Sequence, residues 1–149
     1  MSLKLRLKVE AYDSSLRFKR ASTGTIKVAV AQWQDPAGKN HEGEAYTIMK
    51  NYMFNETGKE LDVQEMPLAN VADFGPALLH LKGVNEIEIK PDERTAIRQF
   101  IDAGGTVLIE NLGGTGKFAE SVKNALATDL PGQDDSVSTR SDIITGRNL

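Results

Sequence analysis

With 149 residues, 40% of them hydrophobic, 26% charged and 6% aromatic, the chain has the size and composition of one globular domain around one core, which excludes a disordered or collagen-like protein. It contains no cysteine, so disulfides, thiolate nucleophiles and Cys-ligated zinc are excluded, and no apolar run approaches the roughly 20 residues of a membrane helix. The net charge of −3 is unevenly spread: residues 1–20 carry six bases against two acids, and the rest carry 12 against 19.

Residues 1–24 read as a basic arm. Leu3, Leu5, Leu7 and Val9 alternate with Lys4, Arg6 and Lys8, the period of a half-buried strand, so an N-terminal edge strand is predicted. Lysines on its outer face discourage edge-to-edge association. No aromatic residues interleave with these bases as stacking platforms would, so nucleic acid is not an expected partner. After the polar turn at 22–25, Ile26 to Ala31 is short, apolar and β-branched, a buried strand. Trp33, Asp35 and Pro36 follow, then a polar loop to Gly43. Ala45, Ile48, Met49, Tyr52 and Met53 recur at helical spacing and predict a helix with that face buried, closed by Gly58.

A weaker strand is predicted from Leu61 to Met66, ended by Pro67, and a loop or short helix around Asp73 and Phe74. Ala77 to Leu81 reads as another short buried strand, closed by Lys82 and Gly83. Pro91 opens a helix with Asp92 and Glu93 in its first turn, an apolar stripe of Ala96, Ile97, Phe100 and Ile101, and a stop at Gly104-Gly105. Thr106 to Ile109 reads as a buried strand leading into Glu110-Asn111-Leu112-Gly113-Gly114. Phe118, Val122, Ala125 and Leu126 share one face of a last helix, which Pro131 ends. Strand and helix thus alternate four times over 25–131, which predicts an α/β three-layer sandwich with a mainly parallel, flavodoxin-like sheet. Residues 132–149 form a polar tail in which only Ile143 and Ile144 are candidates for burial.

Few motifs carry chemistry. The run Gly113 to Lys117 sits where phosphate loops sit, between a strand and a helix. It departs from the P-loop pattern at Asn111, where glycine is required, and at Phe118, where the magnesium-holding hydroxyl belongs, so it reads as a turn. His41, beside Glu42 and Glu44, reads as part of a solvated acidic loop, and His80 as a hydrogen-bonded strand histidine. No metal or other cofactor is implied. G-x-S-x-G is absent and Ser121 falls inside a helix, which leaves no serine nucleophile. The crevice rule for open parallel sheets, in which ligands bind beyond the carboxyl ends of the strands, then selects residues without a motif. It picks Trp33 and Asp35 after the first strand, Lys82, Gly83 and Asn85 after the third, and Glu110, Asn111 and Gly113 after the fourth.

The stretch ALLHLKG, a helix ending IDAGG, and TVLIENLGG, together residues 77–114, resemble the central part of the class I glutamine amidotransferase-like superfamily. Within it, residues 25–130 look most like an uncharacterised bacterial domain family related to the trehalose-utilisation-like proteins. The resemblance implies the fold and the position of the crevice. It places Asn111, to within one residue, at the family's nucleophilic cysteine, and Gly83 at the glycine of the oxyanion loop. With no cysteine, and no histidine after His80 to complete a His-Glu pair, the glutaminase reaction has no chemical support. Relatives of this kind place acids near the end of this strand, as Glu110 does, and are often pieces of larger, membrane-associated proteins. The expectation is that this chain too is trimmed from a longer one.

The reading that follows is a non-catalytic module that binds a small polar ligand or a protein partner through Trp33, Asp35, Gly83, Glu110, Asn111 and Gly113. Trp33 would offer a stacking face, Gly83 and Gly113 close backbone approach, and Glu110 and Asn111 acceptors and a donor. The alternative is a hydrolase-type enzyme using Glu110 as general base with Asp35 or His41. A third reading is a scaffold whose first strand completes a partner's sheet or forms a homo-oligomer. The sequence reads as soluble and cytoplasmic, or extracytoplasmic if a longer native chain exports it, with no membrane insertion of this segment.

Overall fold

The computed structural model describes residues 16–38, 45–112 and 115–127. The predicted N-terminal strand, His41, Glu42 and Glu44, Gly113, and the polar tail all lie outside the described residues.

Four strands form one sheet: β1 (Gly24–Gln32), β2 (Lys59–Pro67), β3 (Leu78–Gly83) and β4 (Thr106–Asn111). Their order is β2-β1-β3-β4 and every pairing is parallel. This is the α/β fold expected, with the order in which a flavodoxin-like sheet begins. Parallel neighbours need crossovers, and right-handed ones place α1 (Ala45–Thr57) on one face and α2 (Val71–Phe74) with α3 (Pro91–Asp102) on the other. A last helix, α4 (Lys117–Leu126), follows β4.

The period of two along each strand decides which side chains meet which helices. Ala29 and Ala31 of β1 and Leu79 and Leu81 of β3 turn to the α3 face, where they form the main core with Val71, Ile97, Phe118, Val122 and Leu126. Alanines on the central strand leave room for the larger side chains of the helices. Val28, Val30 and Leu61 are buried on the opposite face, where α1 lies against β2. His80, Lys82, Leu108 and Glu110 point to that same face further along the sheet, as the β3–β4 register requires.

Two sequence expectations need correction. The face of α1 read as buried is the solvent face: Ile48, Met49 and Tyr52 are exposed, while Phe54 and Asn55 are buried. Apolar residues occur on both sides of this helix, Ile48 and Phe54 being about 120° apart around the axis, so spacing alone did not decide its orientation. The strand at 106–109 is not buried either. It is the edge strand of the described sheet, its residues alternate between half-buried and exposed, and Leu108 is 41% exposed. The first three strands, α1 and α3 follow the expected boundaries to within one or two residues, including the positive φ of 74° at Gly58 after α1, while α4 ends at Leu126, ahead of the stop expected at Pro131.

Candidate functional site

In this topology the strand order reverses between β1 and β3, so the crevice rule points to their carboxyl ends. The structure fills that crevice on the α3 face. The indole of Trp33 is only 8% exposed, and its Nε1 donates to the carbonyl of Lys82 at 3.2 Å. Phe118 meets it edge to face, with ring centroids 5.8 Å apart. Gly38 lies so close beneath the indole that a Cβ there would stand 2.6 Å from it, and a Cβ on Gly83 would stand 2.4 Å from the Phe118 ring. Close approach is therefore why Gly83 is a glycine, but the approaching group is Phe118.

Asp35 and Asn111 hold the ends of neighbouring elements. Asp35 Oδ1 accepts from the backbone of Ala37 and Oδ2 from that of Glu88, both at 2.9 Å. These two N–H groups hold its carboxyl below the usual range, the Glu88 bond contributing most. Asn111 Oδ1 accepts from the backbone N–H of Ala119 at 2.9 Å and so satisfies one of the open donors at the start of α4. Of the residues selected from sequence, Asn85, Glu110 and Asn111 are exposed at the strand ends, and Glu110 is the one that lies against a buried histidine. Its side chain is 50% exposed, and the pairing of β3 with β4 turns it away from Trp33 and Phe118, to the α1 face.

There Glu110 meets a histidine. Its Oε2 lies 2.9 Å from His80 Nε2, within ion-pair range but off the N–H axis, so the contact is electrostatic more than a well-aligned hydrogen bond. On the other side of the ring, His80 Nδ1 is hydrogen-bonded to the hydroxyl of Tyr46, from the first turn of α1. With the protonated Tyr46 hydroxyl as donor, Nδ1 accepts, and the neutral ring then carries its proton on Nε2, on the Glu110 side. Lys82, also buried, places its ammonium 5.8 Å from the Tyr46 ring centroid, at the limit of a cation–π contact. Three elements therefore converge, and a solvent-facing carboxylate leads through a buried imidazole to a half-buried phenol. The sequence reading had His80 as a hydrogen-bonded strand histidine, which it is, but did not join it to Glu110. The alternation of His80, Lys82 with Leu79, Leu81 was the available signal, since it puts both on one face.

The electrostatics favour neutral groups inside. Burial lowers the His80 pKa from its ordinary 6.5, Glu110 opposes this and Lys82 adds to it. Burial, and then the Glu110 charge, raise Tyr46 to about 12, so its hydroxyl stays protonated and is no activated nucleophile. The sign of the linkage follows. The unfolded chain takes up a proton on His80 near pH 6.5 and the folded chain resists, so this stability is complete above that pH and is lost as the pH falls below it. Urea unfolding between pH 7.5 and 5 is expected to show this fall, and His80→Gln is expected to flatten it over that window. Asp35 acts in the same direction, but only near and below its own ordinary value of 3.8.

A groove of about 720 Å3 lies elsewhere, between the segment Leu68–Ala77 and α3, at the amino ends of β3 and β4. It is lined mainly by alanine and glycine, and its one carboxylate, Asp92, accepts from Gln34 Nε2 at 2.8 Å. Convergent polar chemistry belongs instead to the strand ends. Among the described residues no three His, Cys, Asp or Glu side chains gather as a metal site requires, and no helix is long and apolar enough to cross a membrane. Compared with known proteins, the chain matches no family model and no curated sequence.

Proposed function

We propose that this chain is an amidotransferase-like α/β domain without amidotransferase chemistry, a non-catalytic module that binds a small polar ligand or a protein partner at the strand ends around Glu110. The observation that carries this reading is the half-exposed Glu110 carboxylate 2.9 Å from the buried imidazole of His80, which is itself hydrogen-bonded to Tyr46. A surface carboxylate normally samples many rotamers. One drawn toward a buried partner by electrostatic attraction loses less freedom when it captures a hydrogen-bond donor, which is the basis of preorganised binding. The absence of cysteine and the use of Asn111 as a support for α4 speak against a nucleophile after β4.

The test is thermal unfolding against nucleotides, sugar phosphates, sugars, amino acids, magnesium, calcium and zinc. A bound compound at about 100 times its Kd adds roughly 2.7 kcal/mol. That corresponds to a rise on the order of 5–10 °C in the midpoint. The shift is expected to vanish in Glu110→Ala; a shift that survives this change unaltered sinks the Glu110 reading. With no shift from any compound, the partner is a protein, and capture on immobilised wild type but not on Glu110→Ala is the expected result.

A rival reading keeps Glu110 as the general base of a hydrolase. Its partner would then be His80, the residue 2.9 Å away, since Asp35 is held by Ala37 and Glu88. Turnover of any ester, amide or glycoside that is lost in both Glu110→Gln and His80→Gln would favour it.

A further inference from the structure

The outer edge of β2 is open among the described residues: β1 pairs with one side of it along all nine positions, and no described strand pairs with the other. An edge of this length exposes a row of unpaired N–H and C=O groups. Its two faces differ in chemistry. Leu61, opposite Ile26, and Val63, opposite the buried Val28, turn to the face that α1 covers, between the exposed Lys59 and Glu65 on that same face. Glu60, Asp62 and Gln64 turn to the other face, where Gln64 Nε2 donates to both oxygens of Asp62 at 3.2 Å. A strand added along residues 60–64 is therefore favoured by apolar side chains on one face and by positive charge on the other.

The chain already sends one segment to this place. Leu16 to Arg20 runs beside the last turns of α1, clamped by the side-chain amide of Asn55. Asn55 Nδ2 donates to the Leu16 carbonyl at 2.9 Å, and Oδ1 accepts from the Phe18 N–H at 2.8 Å. Arg20 donates to the Asn55 carbonyl at 3.0 Å. The Arg17 guanidinium stacks over Phe54, 3.8 Å from its centroid, and is ion-paired with Glu60 at the start of β2. Fifteen residues precede Leu16. In seven of them, Leu3, Leu5, Leu7 and Val9 alternate with Lys4, Arg6 and Lys8.

We propose that the open edge of β2 is the docking strip for residues 3–9 of the same chain. Laid there as a strand, their leucines extend the apolar surface of Leu61 and Val63 under α1. Their three bases extend, along the acids of β2, the Arg17–Glu60 pairing already in place. A slip of one residue would put every leucine in water and every base under the helix, so the pattern also fixes the register to within two. Residues 10–15 link the two stretches and span at most about 20 Å when extended.

Because the chain has no cysteine, paired substitutions read this directly in the full-length protein. Val63→Cys is combined in turn with Leu5→Cys, Leu7→Cys, Arg6→Cys and Lys8→Cys, and disulfide formation under mild oxidation is followed by mass and by non-reducing gel mobility. Cross-links within one chain are expected, about tenfold faster from the best leucine position than from either basic position, because a disulfide requires Cβ atoms on one face. Equal rates from both faces, no cross-link at all, or cross-links only between chains would each overturn the proposal; the last would make a second copy the occupant. The charge match has its own readout. Reversing Lys4, Arg6 and Lys8 to Glu is expected to slow the leucine cross-link at low salt, with the difference shrinking as salt rises. An unchanged rate would overturn that part.

Discussion

Phe118→Ala is expected to destabilise the domain by about 3–5 kcal/mol, the loss of a fully buried aromatic ring. Phe118 is fully buried at the start of α4 and fills the space over Gly83 on β3. Its edge-to-face contact with Trp33 adds to the loss, since such pairs contribute about 0.5–1.5 kcal/mol beyond area. Collapse into the cavity is opposed by β3, which is paired on both sides, with β1 and β4. Urea unfolding with an unchanged m-value is the measurement. A companion variant tests the fit from the other side. Gly83→Ala puts a methyl group 2.4 Å from the Phe118 ring and is expected to cost about 1–3 kcal/mol by overpacking. In the Phe118→Ala background that cost is expected to disappear. Additive effects would mean that the two positions do not share the space.

Glu93→Ala is expected to cost about 2–4 kcal/mol, although Glu93 is a charged residue near a helix start and reads from sequence as an ordinary first-turn acid. It is buried, and each carboxylate oxygen has its own backbone donor. Oε1 accepts from Gln34 just after β1, and Oε2 from Lys90 at the cap of α3, both at 2.9 Å. Truncation orphans two N–H groups at once, in a place where two elements join. Glu93→Gln separates charge from geometry. Its amide keeps one acceptor and turns an NH2 toward the second donor, so an intermediate loss is expected. If the glutamine variant matched wild type, the carboxylate would not be the tie between the β1 loop and α3.

The fold was legible where the physics is local. Pro91 with Asp92 and Glu93, the glycines at 104–105, and the short β-branched run from Ile26 mark their elements by backbone constraint, helix dipole and side-chain shape. Facing was legible only where one side of an element is apolar. The apolar residues of α1 surround its axis, so the sheet chose Phe54 over Ile48, and no spacing rule foretold it. The site was half legible for a related reason. The crevice rule finds strand ends but not which face of each end is open. Trp33 and Gly83 have their roles set by Phe118, far along the chain, and Asn111 has its role set by Ala119 at the start of the next helix. Glu110 and His80 sit on one face because of the β3–β4 register, which the sequence of either strand alone does not contain.

Trp33 is the single tryptophan of the chain, which makes the filled crevice an optical instrument. Its fluorescence comes from one buried indole whose N–H is bound to the Lys82 carbonyl, while the Lys82 side chain, on the other face of the same strand, stands beside Tyr46. A disturbance around Tyr46, His80 and Glu110 is thus one peptide unit from the chromophore. Emission should be blue in the native state, shift red when β1 and β3 separate, and respond in intensity to events on the α1 face that leave the fold intact. No label has to be introduced to watch both.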